Sequence, residues 1–374
     1  MPELEVKPKP KVSFFLKNIG TIIKIKRANR KKIEKFISST PYLNQPLMPS
    51  FEGTGGPMEE GMIYLMFNSQ DGTSSSIDSV FRVFWVNAPD LRFAFFDSFL
   101  ISENLKMGQW ERSYSEGIFK NRSKSRFHQE VSLEEFSMTC DGIWSEGYHF
   151  VFEDKLNEIS GEVNLTPLSP EGVIVYYGGR IGVTPSMAQK AYDLFALRVT
   201  GDIIVPGGKK IQVKDGRAII EHGLGVFSNF HIYDWRWLDL QFPEGSLHLF
   251  YLSVDLREEG EGIVISGEGA AVINGKWYHF PPGTFEISEV KYEADENLPT
   301  KVPVEWRVRT WKDSPEDSLF DLNVKKTFHH SWVGAMGREN EFITNYILEA
   351  RGVMEGKDIE GKGTMENQMH RIIE

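Results

Sequence analysis

The stretch Gly269-Ala-Ala-Val-Ile-Asn-Gly-Lys-Trp-Tyr-His-Phe280 decides the fold class. Asn274-Gly275 supplies the two positive-φ positions of a type I′ turn, and the runs on either side are apolar or aromatic, so the segment reads as a β-hairpin. The same grammar extends in both directions. Short runs rich in Val, Ile, Phe, Tyr and Trp alternate with Asp71-Gly72, Asp141-Gly142, Pro206-Gly207-Gly208, Asp215-Gly216, Glu244-Gly245 and Pro282-Gly283. Frequent short strands punctuated in this way predict an all-β, antiparallel sandwich or barrel. Helical pattern is sparse, and Met187–Ala196 is the best short helical candidate.

A repeat organises these strands. Leu197–Val205, Gly208–Val213 and Gly216–Glu221 resemble Leu348–Met354, Gly356–Ile359 and Gly361–Glu366, each unit being strand, glycine turn, strand, with an acid five residues after a glycine. A spacing of about 150 residues is too long for a solenoid and suits two similar domains. The expected organisation is a leader and Pro-rich linker over 1–49, a first β-domain over 50–222 and a second over 223–374. Pro41, Pro46 and Pro49 end the leader by removing backbone donors.

Charge separates the leader from the body. Residues 1–40 carry eleven cations against three acids, a net +8, within a chain of net charge −11, so the remainder is strongly acidic. An acidic body argues against nucleic acid as a partner. Val12, Phe15, Ile19, Ile22 and Ile23 recur at helical spacing and Lys24–Lys35 follows, so residues 12–36 suit peripheral contact with an anionic membrane surface. A solvated arm is the plainer alternative. One cysteine, Cys140, excludes a disulfide framework and fits a reducing, cytoplasmic compartment. There is no His-Glu-x-x-His, and His329-His330 lacks chelating spacing, so neither a metal nor any other cofactor is expected.

The strand 231–242 alternates and places His231, Tyr233, Trp235, Trp237, Asp239 and Gln241 on one face. Large aromatics mixed with a few polar groups suit the wall of a pocket for a hydrophobic small molecule. Phe81, Val83 and Trp85, with Tyr64, offer a matching wall in the first domain. Upstream, Glu221 and His222 lie between Ile219-Ile220 and a glycine turn. A carboxyl held among aromatics resists ionisation and can serve as a general acid, with His222 to orient it or relay its proton.

The combination Gly216…Glu221-His222…Gly225, Trp235-Arg-Trp237-Leu-Asp-Leu-Gln241 and Gly361-Lys-Gly363-Thr-Met-Glu366 resembles the lipocalin-like carotenoid 1,2-hydratase (hydroxyneurosporene synthase) and AttH-type family over roughly residues 55–370. The resemblance implies two lipocalin-like domains with a pocket between or within them. The family's motif is of the Asp-His-Asn-Trp-Gly type; here Glu221 stands for Asp, Gly223 for Asn and Leu224 for Trp. It implies that Glu221 protonates an isoprenoid or terpenoid double bond and that Tyr233, Trp235 and Trp237 stabilise the cation. Water capture would make a hydratase, and an internal nucleophile a cyclase. A non-catalytic, lipocalin-like carrier of a lipid, using the same pocket without proton transfer, is the alternative.

Overall fold

The structure, a computed structural model, describes residues 58–87, 92–100, 110–113, 118–120, 127–169, 173–175, 181–184, 187–226, 232–255, 263–281, 283–312, 314–333 and 342–369. The leader, with the membrane contact expected of residues 12–36, lies outside them.

The described residues contain twenty-two strands, one 3-10 turn at Pro206–Gly208 and no α-helix. The first sheet contains β1 (Met58–Phe67), β2 (Ser79–Asn87), β3 (Arg92–Leu100), β4 (Trp110–Ser113), β5 (Ile118–Lys120), β6 (Phe127–Ser132), β7 (Phe136–Ile143), β8 (Gly147–Asp154), β9 (Ile159–Pro167), β10 (Val173–Val175), β11 (Ile181–Thr184), β12 (Met187–Val205) and β13 (Lys209–Val226). The second contains β14 (Ile232–Phe242), β15 (Gly245–Asp255), β16 (Ile263–Ile273), β17 (Lys276–Phe280), β18 (Phe285–Ala294), β19 (Lys301–Trp311), β20 (Ser318–Val333), β21 (Phe342–Met354) and β22 (Lys357–Met369). No helix among the described residues is long and apolar enough to cross a membrane.

Both sheets are antiparallel and curl into half-barrels, so the all-β, two-domain lipocalin-like reading holds. The order is β4-β3-β2-β1-β13-β12-β9-β8-β7-β6-β5 in the first and β17-β16-β15-β14-β22-β21-β20-β19-β18 in the second. In each, the two outermost strands are consecutive in sequence, as in an up-and-down barrel opened along one seam. The sequence repeat is the hairpin β12–β13 in one sheet and β21–β22 in the other. Each inserts beside the first strand of its own sheet, β13 on β1 and β22 on β14.

Alternation divides the apolar side chains into three layers. Ile63, Leu65, Phe81, Val83, Trp85, Phe127, Phe150, Ala218 and Ile220 fill the first half-barrel. Leu238, Leu240, Phe242, Trp306, Tyr346 and Met365 fill the second. Between them, Met62, Tyr64, Met66, Phe195 and Ile219 of the first sheet pack on Trp237, Phe250, Ala270, Val272 and Ile347 of the second. Each sheet thus buries both faces, its concave side on its own core and part of its convex side on the other domain.

The Asn274-Gly275 turn forms as read, with φ of 51° and 73°, joining β16 to β17. Two other turn signals and the helical one do not. Asp141-Gly142 lies within β7 and Asp215-Gly216 within β13. At Gly216 the glycine serves close packing instead, since a Cβ would sit 2.9 Å from Val213 Cγ1. Met187–Ala196 is the first half of β12, because pairing with β13 on one side and with β10 and β11 on the other overrides local helical spacing.

Gly61 faces Trp85 across β1 and β2, and a Cβ on Gly61 would run into the indole ring. Gly61→Ala therefore displaces Trp85 and costs about 1–3 kcal/mol. A lowered denaturation midpoint with a changed tryptophan emission checks this. The lone cysteine, Cys140 on β7, is fully buried in the first core, and burial pushes its thiol pKa up.

Candidate functional site

The interdomain face carries the polar side chains. Glu221 on β13 is the cross-strand partner of Met62 on β1 and of Asp193 on β12. Strand alternation gives it the same face as Ile219, toward the second domain, with its side chain half-buried. Side chains paired in this way lie about 5 Å apart at Cβ, so Glu221 and Asp193 are neighbours. Asp193 owes its orientation to a bulge. The register of β12 on β13 shifts between Leu194 and Leu197, and Ala196 adopts φ 57°, so that Phe195 and Ala196 both reach the interdomain layer.

From the other side β15 contributes His248, which is completely buried. Its Nε2 lies 2.8 Å from Asp193 Oδ2, and its Nδ1 is 3.5 Å from Asp239 Oδ2. Asp239, on β14, also accepts a hydrogen bond from Gln241 Nε2, and Ser246 Oγ donates to Gln241 Oε1 at 2.6 Å. His248 is boxed by rings, stacked on Phe195 at 5.7 Å with 26° between the planes and edge-on to Trp237 at 4.8 Å. Burial opposes the imidazolium, but hydrogen bonds and charge from Asp193 and Asp239 outweigh it, and the His248 pKa is pushed up to about 9. Burial also raises the Asp193 carboxyl, which the bond to His248 offsets only in part. Both directions mean one thing: the cluster keeps protons that the same groups would release in water.

A second charge pair crosses the interface in the opposite sense. Arg82 on β2 pairs with Glu366 on β22, donates to Tyr64 Oη at 3.1 Å and lies over the Tyr64 ring. Tyr64 in turn stacks on Trp237 at 4.5 Å. The repeat explains the arrangement. Glu366 occupies in β22 the place of Glu221 in β13, and the pair Asp239–His248 occupies in β14–β15 the place of Tyr64–Arg82 in β1–β2. Each domain therefore lends a cationic side chain to an acid of the other.

The candidate residues divide into two groups. Glu221, Tyr64, Trp235, Trp237 and Gln241 lie on the interdomain face, Trp235 half-buried at its margin and Gln241 as a support of Asp239. His222 and Trp85 do not. His222 points into the first half-barrel, edge-on to Phe127 at 5.6 Å, and Trp85 lies in the same core. Adjacent strand residues face opposite ways, so His222 is not placed to orient Glu221 or relay its proton. The first-domain wall is formed by Tyr64 with Phe84, which packs on the interdomain layer, in place of Phe81, Val83 and Trp85. His231, and the side chain of Tyr233, lie outside the described residues. Sequence reading missed Asp193 and His248, whose only signal is a charged or imidazole side chain inside an otherwise apolar strand.

Removing the Gln241 amide strips Asp239 of a buried donor. Gln241→Leu is expected to cost about 1–3 kcal/mol in urea unfolding. An unchanged midpoint would show that Asp239 is held without it. No group of three or more His, Cys, Asp or Glu side chains among the described residues is arranged to hold a metal.

No family model and no curated protein sequence matches the chain. Solved structures do match. CghA, solved with Sch210972, aligns at TM-score 0.61 with 12% identity, covering 88% of this chain and 95% of that one. Kievitone hydratase from Nectria haematococca aligns at TM-score 0.56 with 12% identity, covering 86% and 90%. A Nitrosomonas europaea protein carrying the AttH designation aligns at TM-score 0.54 with 14% identity, covering 87% and 99%. Over nearly its whole described length, the chain shares the two-domain, lipocalin-like fold of the AttH-type and hydratase structures.

Proposed function

We propose that the chain is a cofactor-independent hydratase or cyclase acting on a hydrophobic, isoprenoid-like substrate at the interdomain face, with Glu221 as proton donor. The observation that carries this reading is the position of Glu221: half-buried, beside Asp193, on the face that also presents Tyr64, Trp235 and Trp237. Glu221 protonates a substrate double bond. The π-face of Trp235, half-buried at the margin of the interdomain layer, stabilises the cation that develops. Water or a nucleophile of the substrate then captures the cation. Glu221, being half-buried, is recharged with a proton from solvent.

The names of the structural neighbours support the reaction class, since one is a hydratase and another was solved with a bound compound. Fold alone does not carry activity, so the substrate class rests on the apolar, aromatic character of the face. In this reading residues 12–36 collect substrate from an anionic membrane surface, and no nucleic acid takes part.

The test is to incubate the full-length protein with a total membrane lipid extract of its host and identify bound and newly formed lipids by mass spectrometry. A product heavier by one water supports hydration, and an isomer of equal mass supports cyclisation. A retained lipid with no new species would show a carrier.

A further inference from the structure

The interior of the second half-barrel is not apolar throughout. Three rows cross β21 and β22 on the inward face, pairing Tyr346 with Met365, Thr344 with Asn367 and Phe342 with Met369. The first row belongs to the main core of the domain. The third belongs to a separate small cluster with Leu298, Val302 and Val304. Between them lies a polar layer in which Arg236 joins Asn367 and Thr344, and Ser331 Oγ lies 3.0 Å from Thr344 Oγ1. Arg236 spans this layer from β14 to β18. It donates from Nε to Asn367 Oδ1 at 3.2 Å and from Nη1 to the Ile287 carbonyl at 3.0 Å, and it pairs with Glu289.

Three donors at this layer have no acceptor among the described residues. Arg236 takes Asn367 Oδ1, which fixes the amide and leaves Nδ2, a donor, without a hydrogen bond. The Tyr346 hydroxyl stands near Thr344 and Asn367 but outside hydrogen-bond geometry, and burial pushes its pKa up, so it keeps its proton. Trp306 Nε1, on a ring edge-on to Tyr346 at 4.9 Å, is the third. None of these side chains is more than 1% exposed. Buried polar groups in native proteins are nearly always hydrogen-bonded, because leaving one unmatched is costly, so three together need an explanation.

We propose that the second half-barrel binds a neutral, carbonyl-bearing apolar molecule whose oxygen enters this layer and accepts hydrogen bonds from Asn367 Nδ2 and Tyr346 Oη. Unmatched donors call for an acceptor, and a carbonyl oxygen has lone pairs for two of them. A carboxylate does not suit the layer, because Arg236 is already matched by Glu289 and a further buried anion would go unpaired. The apolar clusters on either side suit a hydrocarbon body. Leu298, on the turn between β18 and β19, places the small cluster over the layer. Asp295 anchors that turn, accepting from the Asn297 backbone N–H at 2.7 Å and lying 2.9 Å from His329 Nε2. A cover of five apolar side chains opens at less cost than the core beneath it, which gives the ligand its way in. The site is separate from the interdomain face and does not rest on the reading of Glu221.

The experiment titrates the full-length protein with a series of long-chain methyl ketones, reading affinity by calorimetry and hydrogen bonding by the carbonyl stretch in infrared difference spectra. The bound ketone should show a stretch lowered from its value in hydrocarbon solvent. Tyr346→Phe, which removes only the hydroxyl and keeps the ring, is expected to weaken binding about 10-fold and to move the stretch back toward that value. Asn367→Leu should act in the same direction. Glu221→Gln, on the interdomain face, should change neither reading. Failure of every ketone in the series to bind the wild-type protein overturns the proposal. So does equal affinity with an unshifted stretch in Tyr346→Phe, which would mean that the donors meet water only. A ketone lost in Glu221→Gln but retained in Tyr346→Phe would lie on the interdomain face and overturn the site as well.

Discussion

His248→Ala is expected to destabilise the protein by about 3–5 kcal/mol at neutral pH, because it leaves Asp193 and Asp239 buried with no cation between them. The effect depends on pH in a definite direction. The imidazole of an unfolded chain titrates near 6.5, whereas in the fold it is pushed up to about 9. A raised value means stability that is fully present below pH 6.5 and lost as pH climbs through 9, amounting to about 3 kcal/mol. The raised Asp193 carboxyl works in the same sense, its contribution also being greatest in acid. Wild-type protein should therefore unfold at lower denaturant concentration at pH 9.5 than at pH 6, and His248→Ala should flatten the profile between 6.5 and 9. A wild-type profile already flat across that window would mean that the imidazole is neutral.

Glu221→Gln is expected to lower turnover by about 100- to 10,000-fold while leaving the affinity for the bound lipid nearly unchanged. The amide keeps the size and half-buried position of the carboxyl but has no proton to give, so binding and chemistry separate. Turnover with the lipid extract, measured alongside retention of lipid by the re-isolated protein, checks both halves. Equal turnover in the variant would move the proton donor to another group on the same face, and loss of retention would make Glu221 part of the binding surface.

Much of the fold was legible because its signals are local. Asn274-Gly275 states a turn in two residues, and the resemblance of Leu197–Glu221 to Leu348–Glu366 reports two hairpins that occupy corresponding places in two sheets. The misreadings were also local signals, defeated by pairing. Met187–Ala196 has helical spacing but strands on both sides, and Asp215-Gly216 has turn residues where close packing needs a glycine. Within the site, the alternation that correctly joined Trp235, Trp237 and Asp239 also separates Glu221 from His222, and shared sequence context obscured it. The His248–Asp193 contact spans 55 residues and two sheets. Its geometry exists only after the domains meet, so no spacing in the chain announces it.

Cys140 gives the first half-barrel a built-in clock. A buried thiol whose ionisation is suppressed by burial is unreactive toward alkylating reagents as long as β6, β7 and β8 stay paired around it. Modification of the native protein then proceeds only through transient opening, and its rate, divided by that of the unfolded chain, is the equilibrium constant for that opening. Because the chain has one cysteine, the mass change reports this single locus, in the domain opposite His248. Ligand that bridges the two domains should slow the clock, and ligand confined to the second should leave it running.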